Sequence, residues 1–268
     1  MGKPDLALSA LWNCALVCWE WYHLTWYHLR RRIQFRSRDD VLKLQRLLRA
    51  RPRLRSVPEQ VVIRGCTTSP ADRTPIPHLE TFATMLSGRL SSVSVFYIRD
   101  AILTTGPAQS KGVRHLAAFC SVETLVLSNV TIAKLTQLTL LITSLPQLEV
   151  LSLKAVDCLE EKMPSWVLMP SICIKLQKLH MLRVAVLIEE LFIRLSQTCS
   201  TSHVVYLAYE AKVKMHHAPQ WGSCQRLLDA NSSCLQALQL LTGNTHTVTN
   251  CSEDGVGKSL WSYSDVID

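Results

Sequence analysis

Three segments of this chain repeat one short pattern. Val122-Glu-Thr-Leu125-Val-Leu127-Ser-Asn-Val130, Leu148-Glu-Val-Leu151-Ser-Leu153-Lys-Ala-Val156 and Leu176-Gln-Lys-Leu179-His-Met181-Leu-Arg-Val184 each place apolar residues at the same offsets and end on a valine. Leu125 to Leu151 is 26 residues and Leu151 to Leu179 is 28, so the pattern returns at a nearly fixed step. Alternate side chains of a strand point to one face, so Leu125 and Leu127 turn inward together, as do Leu151 and Leu153. One such strand cannot bury its apolar face alone and needs neighbours on both sides. The chain must also return between strands. Leu135, Leu138, Leu141, Ile142 and Leu145 recur at steps of three and four, which predicts a return helix over 132–145. Pro146 blocks its continuation before the next strand.

Weaker copies extend the array. Phe96 in Val93-Ser-Val-Phe96-Tyr-Ile98 lies 29 residues before Leu125, and Leu235-Gln-Ala-Leu238-Gln-Leu240 lies about two steps after Leu179. Val204-Val-Tyr206-Leu207 fits as a degenerate strand between them, and Val61-Val-Ile63 is the expected first strand. The pattern and its period resemble the leucine-rich repeat. That resemblance implies an α/β fold: an irregular leucine-rich-repeat solenoid of parallel strands with return helices. Its core strand positions are Phe96, Leu125, Leu127, Leu151, Leu153, Leu179, Leu238 and Leu240. Solenoids of this kind present extended surfaces to other proteins, so the first expectation is a binding scaffold.

At 268 residues with 48% hydrophobic and 19% charged residues, the chain is globular in composition. No run approaches the ~18 consecutive apolar residues of a membrane helix, and Asp5 and Asn13 interrupt the one stretch that resembles a signal-peptide core. No membrane partner and a cytoplasmic or nuclear location are expected. The net charge of +8 is concentrated at one end: residues 1–64 hold thirteen Lys and Arg against five acids. No nucleic-acid motif with interleaved aromatics accompanies Arg30-Arg31-Arg32, so a solvated basic face is expected and nucleic acid is not. The ten cysteines have irregular spacing and no C-x-x-C, which predicts buried free thiols rather than disulfides. No metal or cofactor is expected, since His216-His217, Cys224 and Cys234 lack paired-ligand spacing.

Leu11, Cys14, Val17, Cys18 and Trp21 recur at helical steps within the apolar stretch Leu11 to Leu24. A stripe this apolar must pack on another helix, within the chain or on a partner. Cys14-Ala-Leu-Val-Cys18-Trp-Glu-Trp21-Tyr-His-Leu24 resembles the distal half of an F-box, with its C-x-L-V-C-x-x-W run. Tyr27 to Phe35 and Asp39 to Leu54 are similar to the exit and linker segments of fungal F-box/leucine-rich-repeat proteins. The usual opening Leu-Pro-x-Glu helix has no counterpart in residues 1–10, so the expectation is a truncated F-box. The resemblance divides the chain into partial F-box-like helices at 1–36, a linker helix at 37–56, a solenoid at 57–245 and a flexible tail at 246–268. It implies a substrate-receptor subunit of a cullin–RING ubiquitin ligase, whose Skp-type adaptor meets Leu11, Leu16, Val17, Cys18 and Trp21 while the repeats hold a protein target. The alternative is an adaptor-independent repeat protein or a truncated, non-functional gene product.

No enzymatic activity is expected. Gly255-Val-Gly257-Lys258-Ser259 ends like a phosphate-binding loop, but the pattern requires Gly where Ser252 stands. Glu160-Glu161 and Glu189-Glu190 are adjacent in sequence and do not face each other. Asn129, Asn231 and Asn250 head glycosylation sequons, which have no role in a cytosolic protein.

Overall fold

The computed structural model describes residues 10, 13–66, 72–104, 113–160, 176–198, 204–210, 222–242 and 245–249. All ten strands belong to one open sheet. They are β1 (Arg32–Phe35), β2 (Gln60–Arg64), β3 (Thr74–Pro75), β4 (Val95–Leu103), β5 (Thr124–Ile132), β6 (Val150–Cys158), β7 (Lys178–Leu182), β8 (Tyr206–Glu210), β9 (Ala237–Thr242) and β10 (Thr245–Thr249). Their order across the sheet is their order in the chain, except that β3 pairs with β4 beyond the end of β2. Every pairing is parallel but the last, where β10 turns back antiparallel on β9. A parallel neighbour demands a crossover, and helices supply most of them: α3 (His78–Leu86), α4 (Leu135–Thr143), α5 (Val186–Thr198) and α6 (Gly222–Asn231) lie between successive strands.

The sequence repeats coincide with the strand register. Phe96 pairs with Leu125, Leu125 with Leu151, Leu151 with Leu179, Leu179 with Leu207 and Leu207 with Leu238. Phe96, Leu125, Leu127, Leu151, Leu153 and Leu179 are buried, while Leu238 and Leu240 are partly buried against the same core. The return helix predicted over 132–145 is α4, and its Leu135, Leu138, Leu141 and Ile142 join that core. The Val204–Leu207 copy overlaps β8, which starts two residues later at Tyr206.

The first strand is not at Val61–Ile63 but at Arg32–Phe35, one repeat earlier. Its short apolar content, Ile33 and Phe35 only, gave no periodic signal. The segment 37–56 forms α2 (Arg38–Ala50), opened by a capping box between Ser37 and Asp40, and a 3₁₀ turn at Pro52–Ser56. Val41 and Leu48 of α2 share the core with the strands. Beside them, Phe82 of α3 packs against Phe35, Phe96 and Phe119, with ring centroids 5.2–5.6 Å away.

A second regularity runs across the same strands. Asp100, Asn129, Ala155 and Arg183 all have positive φ, between 52° and 56°. Each stands four residues after a repeat position, Phe96, Leu125, Leu151 or Leu179. In β4, β5 and β6 the left-handed residue is skipped in the pairing on both partners, so the register continues unchanged and the three kinks stack side by side. Asp and Asn tolerate this backbone through local hydrogen bonds. The spacing of Asp100 and Asn129 was a legible signal. Gly65 abuts the same column, where any Cβ would lie 2.0 Å from the Asp100 carbonyl oxygen.

Candidate interaction surfaces

The apolar stretch at the N-terminus is two pieces, not one helix. A turn at Leu16–Val17 interrupts it, and α1 (Trp19–Arg31) starts after Cys18. The one-face stripe expected from Leu11 to Trp21 is therefore broken, and Leu11 itself lies outside the described residues. Ala15 and Thr25 are buried, whereas Leu16, Val17, Cys18, Trp19, Trp21 and Leu24 are exposed. Leu16 keeps 84% of its surface in solvent and Trp21 51%. Trp19 stacks on Tyr22 at 5.7 Å and meets His23 edge-on at 4.3 Å, which stiffens the patch without burying it. Apolar side chains clustered so densely on a surface mark an interaction site more often than scattered ones do.

The sheet face opposite the core carries a second set of residues. Tyr97, Val126, Ser152, His180 and Ala208 form one row in register, and Arg64, Arg99, Ser128, Lys154, Leu182 and Glu210 form the next. Tyr97 and Val126 are half-buried, while Ser152, His180 and Ala208 are buried. His180 packs against the Tyr206 ring at 5.1 Å. Burial, reinforced by the Lys178 ammonium, pushes its imidazole down to about 4, so it is neutral at physiological pH. The Tyr206 hydroxyl is hydrogen-bonded with the Gln239 amide, tying β8 to β9.

The column of left-handed residues is held by charge. Arg64 Nε donates to Asp100 Oδ2 at 2.7 Å, and Asn129 Nδ2 donates to Asp100 Oδ1 at 2.9 Å. From the other side, Arg73 donates to Asn129 Oδ1 at 2.8 Å, Thr131 Oγ1 at 2.6 Å, Asp157 Oδ2 at 2.8 Å and the Ala155 carbonyl at 3.1 Å. The guanidinium fork satisfies several acceptors at once, as a lysine ammonium could not in this planar geometry. The arrangement clamps β2, β4, β5 and β6 together. Nothing in the sequence near Arg73 marks it for this role.

Buried groups elsewhere are poorly suited to catalysis. Tyr209 donates its hydroxyl to Glu189 Oε1 at 3.0 Å, and burial with the adjacent carboxylate raises the phenol far above its usual range. The Cys224 thiol is pushed up to about 11 by burial and by Glu189, the reverse of an activated nucleophile. Seven cysteines are free among the described residues, but only Cys224 is buried; Cys18, Cys66 and Cys120 are exposed. The expectation of generally buried thiols fails because strand ends and turns hold several of them. No group of three or more potential metal ligands exists among the described residues. His216, His217, Asn250 and Gly255–Ser259 lie outside them. No described helix is long and apolar enough to cross a membrane. No family model matches the chain, and no curated protein matches it.

Proposed function

We propose that the chain is a protein-binding scaffold of the leucine-rich-repeat type. Its N-terminal helices dock on a Skp-type adaptor of a cullin–RING ubiquitin ligase, and its repeats hold a target protein. The observation that carries this reading is the exposure of Leu16, Val17, Cys18 and Trp21, the residues of the F-box-like run. A helix serving only to cap the first repeat would turn such residues inward. The in-register Phe96–Leu125–Leu151–Leu179 row supports the repeat part, because stacking identical units produces this ladder. Its place of work on this reading is the cytoplasm or nucleus. A repeat scaffold that acts without an adaptor is the competing reading, and one experiment separates the two. A tagged chain is co-purified with a Skp-type adaptor and a cullin, beside the Leu16→Ala/Trp21→Ala double variant. The adaptor reading requires recovery that the double variant loses while its melting temperature stays unchanged. Loss of an aromatic anchor costs ~2–4 kcal/mol of binding, enough for recovery to discriminate. Appending an upstream Leu-Pro-x-Glu helix should strengthen capture; no capture with that helix present sinks the adaptor reading.

A further inference from the structure

Among the described residues, β1 ends the sheet and pairs only with β2. A cavity of about 310 Å³ lies beside it. Arg32, Ile33 and Gln34 are consecutive in the strand, and all three line this cavity. Consecutive strand residues point to opposite faces, so a wall made of all three is the edge of the strand, where main-chain groups lie. The remaining floor is aliphatic, built from Leu44 and Leu47 of α2 and from Leu54 and Val57 beyond it. Arg30 and Arg32 stand on its rim.

The segment that supplies this groove is strongly basic. Arg36, Arg38, Lys43, Arg46, Arg49, Arg51, Arg53 and Arg55 are exposed. Of the three acids in this segment, Glu59 pairs with Arg31, the Asp40 carboxylate accepts from the Arg36 and Ser37 amides at 3.0 Å, and Asp39 is exposed. We propose that the groove is a docking site for an extended acidic peptide segment of a partner protein, which adds as a strand to β1. Its main chain pairs with the strand edge, its apolar side chains fill the Leu44–Leu47–Leu54 floor, and its carboxylates face Arg30 and Arg32. A second copy of the chain is disfavoured, because two such edges would bring four arginines together. A nucleic-acid strand would neutralise the same charge, but the described floor of Leu44, Leu47 and Leu54 is aliphatic and offers bases no ring to stack on. The proposal does not depend on the adaptor reading, since the exposed N-terminal residues Leu16, Val17 and Trp21 are not among the groove residues.

Fluorescence anisotropy on the full chain tests it, with a short labelled peptide of alternating Asp and Val as the probe. A Lys–Val peptide and an oligothymidylate of matching length are the controls. The Asp–Val peptide should bind, and its affinity should fall as salt rises. Arg32→Glu and Leu47→Glu should each weaken it by about tenfold or more. Leu47 is 41% exposed, so its substitution leaves the fold intact, which a melting curve verifies. Leu47→Gln, which adds no charge, should still weaken binding several-fold. Arg114→Glu, the same charge change at an exposed site outside the groove, should leave it unchanged. Equal loss in Arg114→Glu and Arg32→Glu, undiminished binding by Leu47→Glu, or binding of oligothymidylate in preference to the peptide would each overturn the proposal.

Discussion

Two regions of this chain are about equally rich in large apolar residues and use them in opposite ways. In β4 to β7, Phe96, Leu125, Leu151 and Leu179 stand in register and are withdrawn from solvent. In Leu16 to Leu24, one turn and the start of a helix expose five large apolar side chains. The difference is one of neighbours. Each strand of the sheet is flanked by strands that present the same face at the same height, so every leucine finds a partner row. The N-terminal piece has no copy of itself to stack on, and beside its exposed side chains only Ala15 and Thr25 are buried among the described residues of 13–25. Burial in the first region accounts for stability. Exposure in the second is a cost to solubility.

The sharpest way to break this contrast is at Leu151. Leu151→Ala should cost about 2–5 kcal/mol in urea unfolding, through lost transfer energy and the cavity left behind. Leu151→Asp should cost more, because an unpaired charge is buried. A parent-like midpoint for Leu151→Asp would mean that the row does not hold the sheet together.

The second effect lies on the opposite face of the same strands. His180 has its folded-state pKa depressed to about 4 from 6.5. Between those values the unfolded chain binds more protons, so stability is full above pH 6.5 and is lost as pH falls toward 4. The loss is roughly 3 kcal/mol, and His180→Asn should flatten that part of the pH profile. An unchanged profile in the variant would assign the acid sensitivity elsewhere.

A smaller effect, of opposite sign, is expected at the column of left-handed residues. Ala155 has a φ of 52°, where a Cβ is strained. Ala155→Gly should stabilise by about 1 kcal/mol. Asn129→Gly should destabilise instead, since it deletes the hydrogen bonds to Asp100 and Arg73. If both changes act alike, backbone strain is not what distinguishes the two sites.

The smallest effect should come from the N-terminal patch. Leu16→Ala with Trp21→Ala should move global stability by less than about 0.5 kcal/mol, as expected of exposed positions. A large drop in melting temperature would show that the patch packs on the repeats and would erase the contrast between the two regions.

Much of the central sheet was legible without coordinates. The L-x-x-L-x-L spacing located β5, β6 and β7, and its weaker copies located β2, β4, β8 and β9. The step of three and four in Leu135 to Ile142 located α4. These succeed because a strand or a return helix writes its burial pattern into consecutive residues. β1 was missed because four residues with two inward apolar positions fall below any periodic signal. The N-terminal stripe was misread as one helix because its helical steps continue across the turn at Leu16–Val17.

By itself, then, the order of leucines determined which residues pair and which face the core, since a strand's period of two leaves a single register that buries them all. The tertiary structure alone decided the rest. It brought Arg73 against Asn129 and Asp157, 56 and 84 residues away, because only the stacking of strands sets those strand segments side by side. It also left one edge of the sheet open beside an aliphatic groove. An edge is defined by a missing neighbour, and no local pattern records a neighbour that is missing.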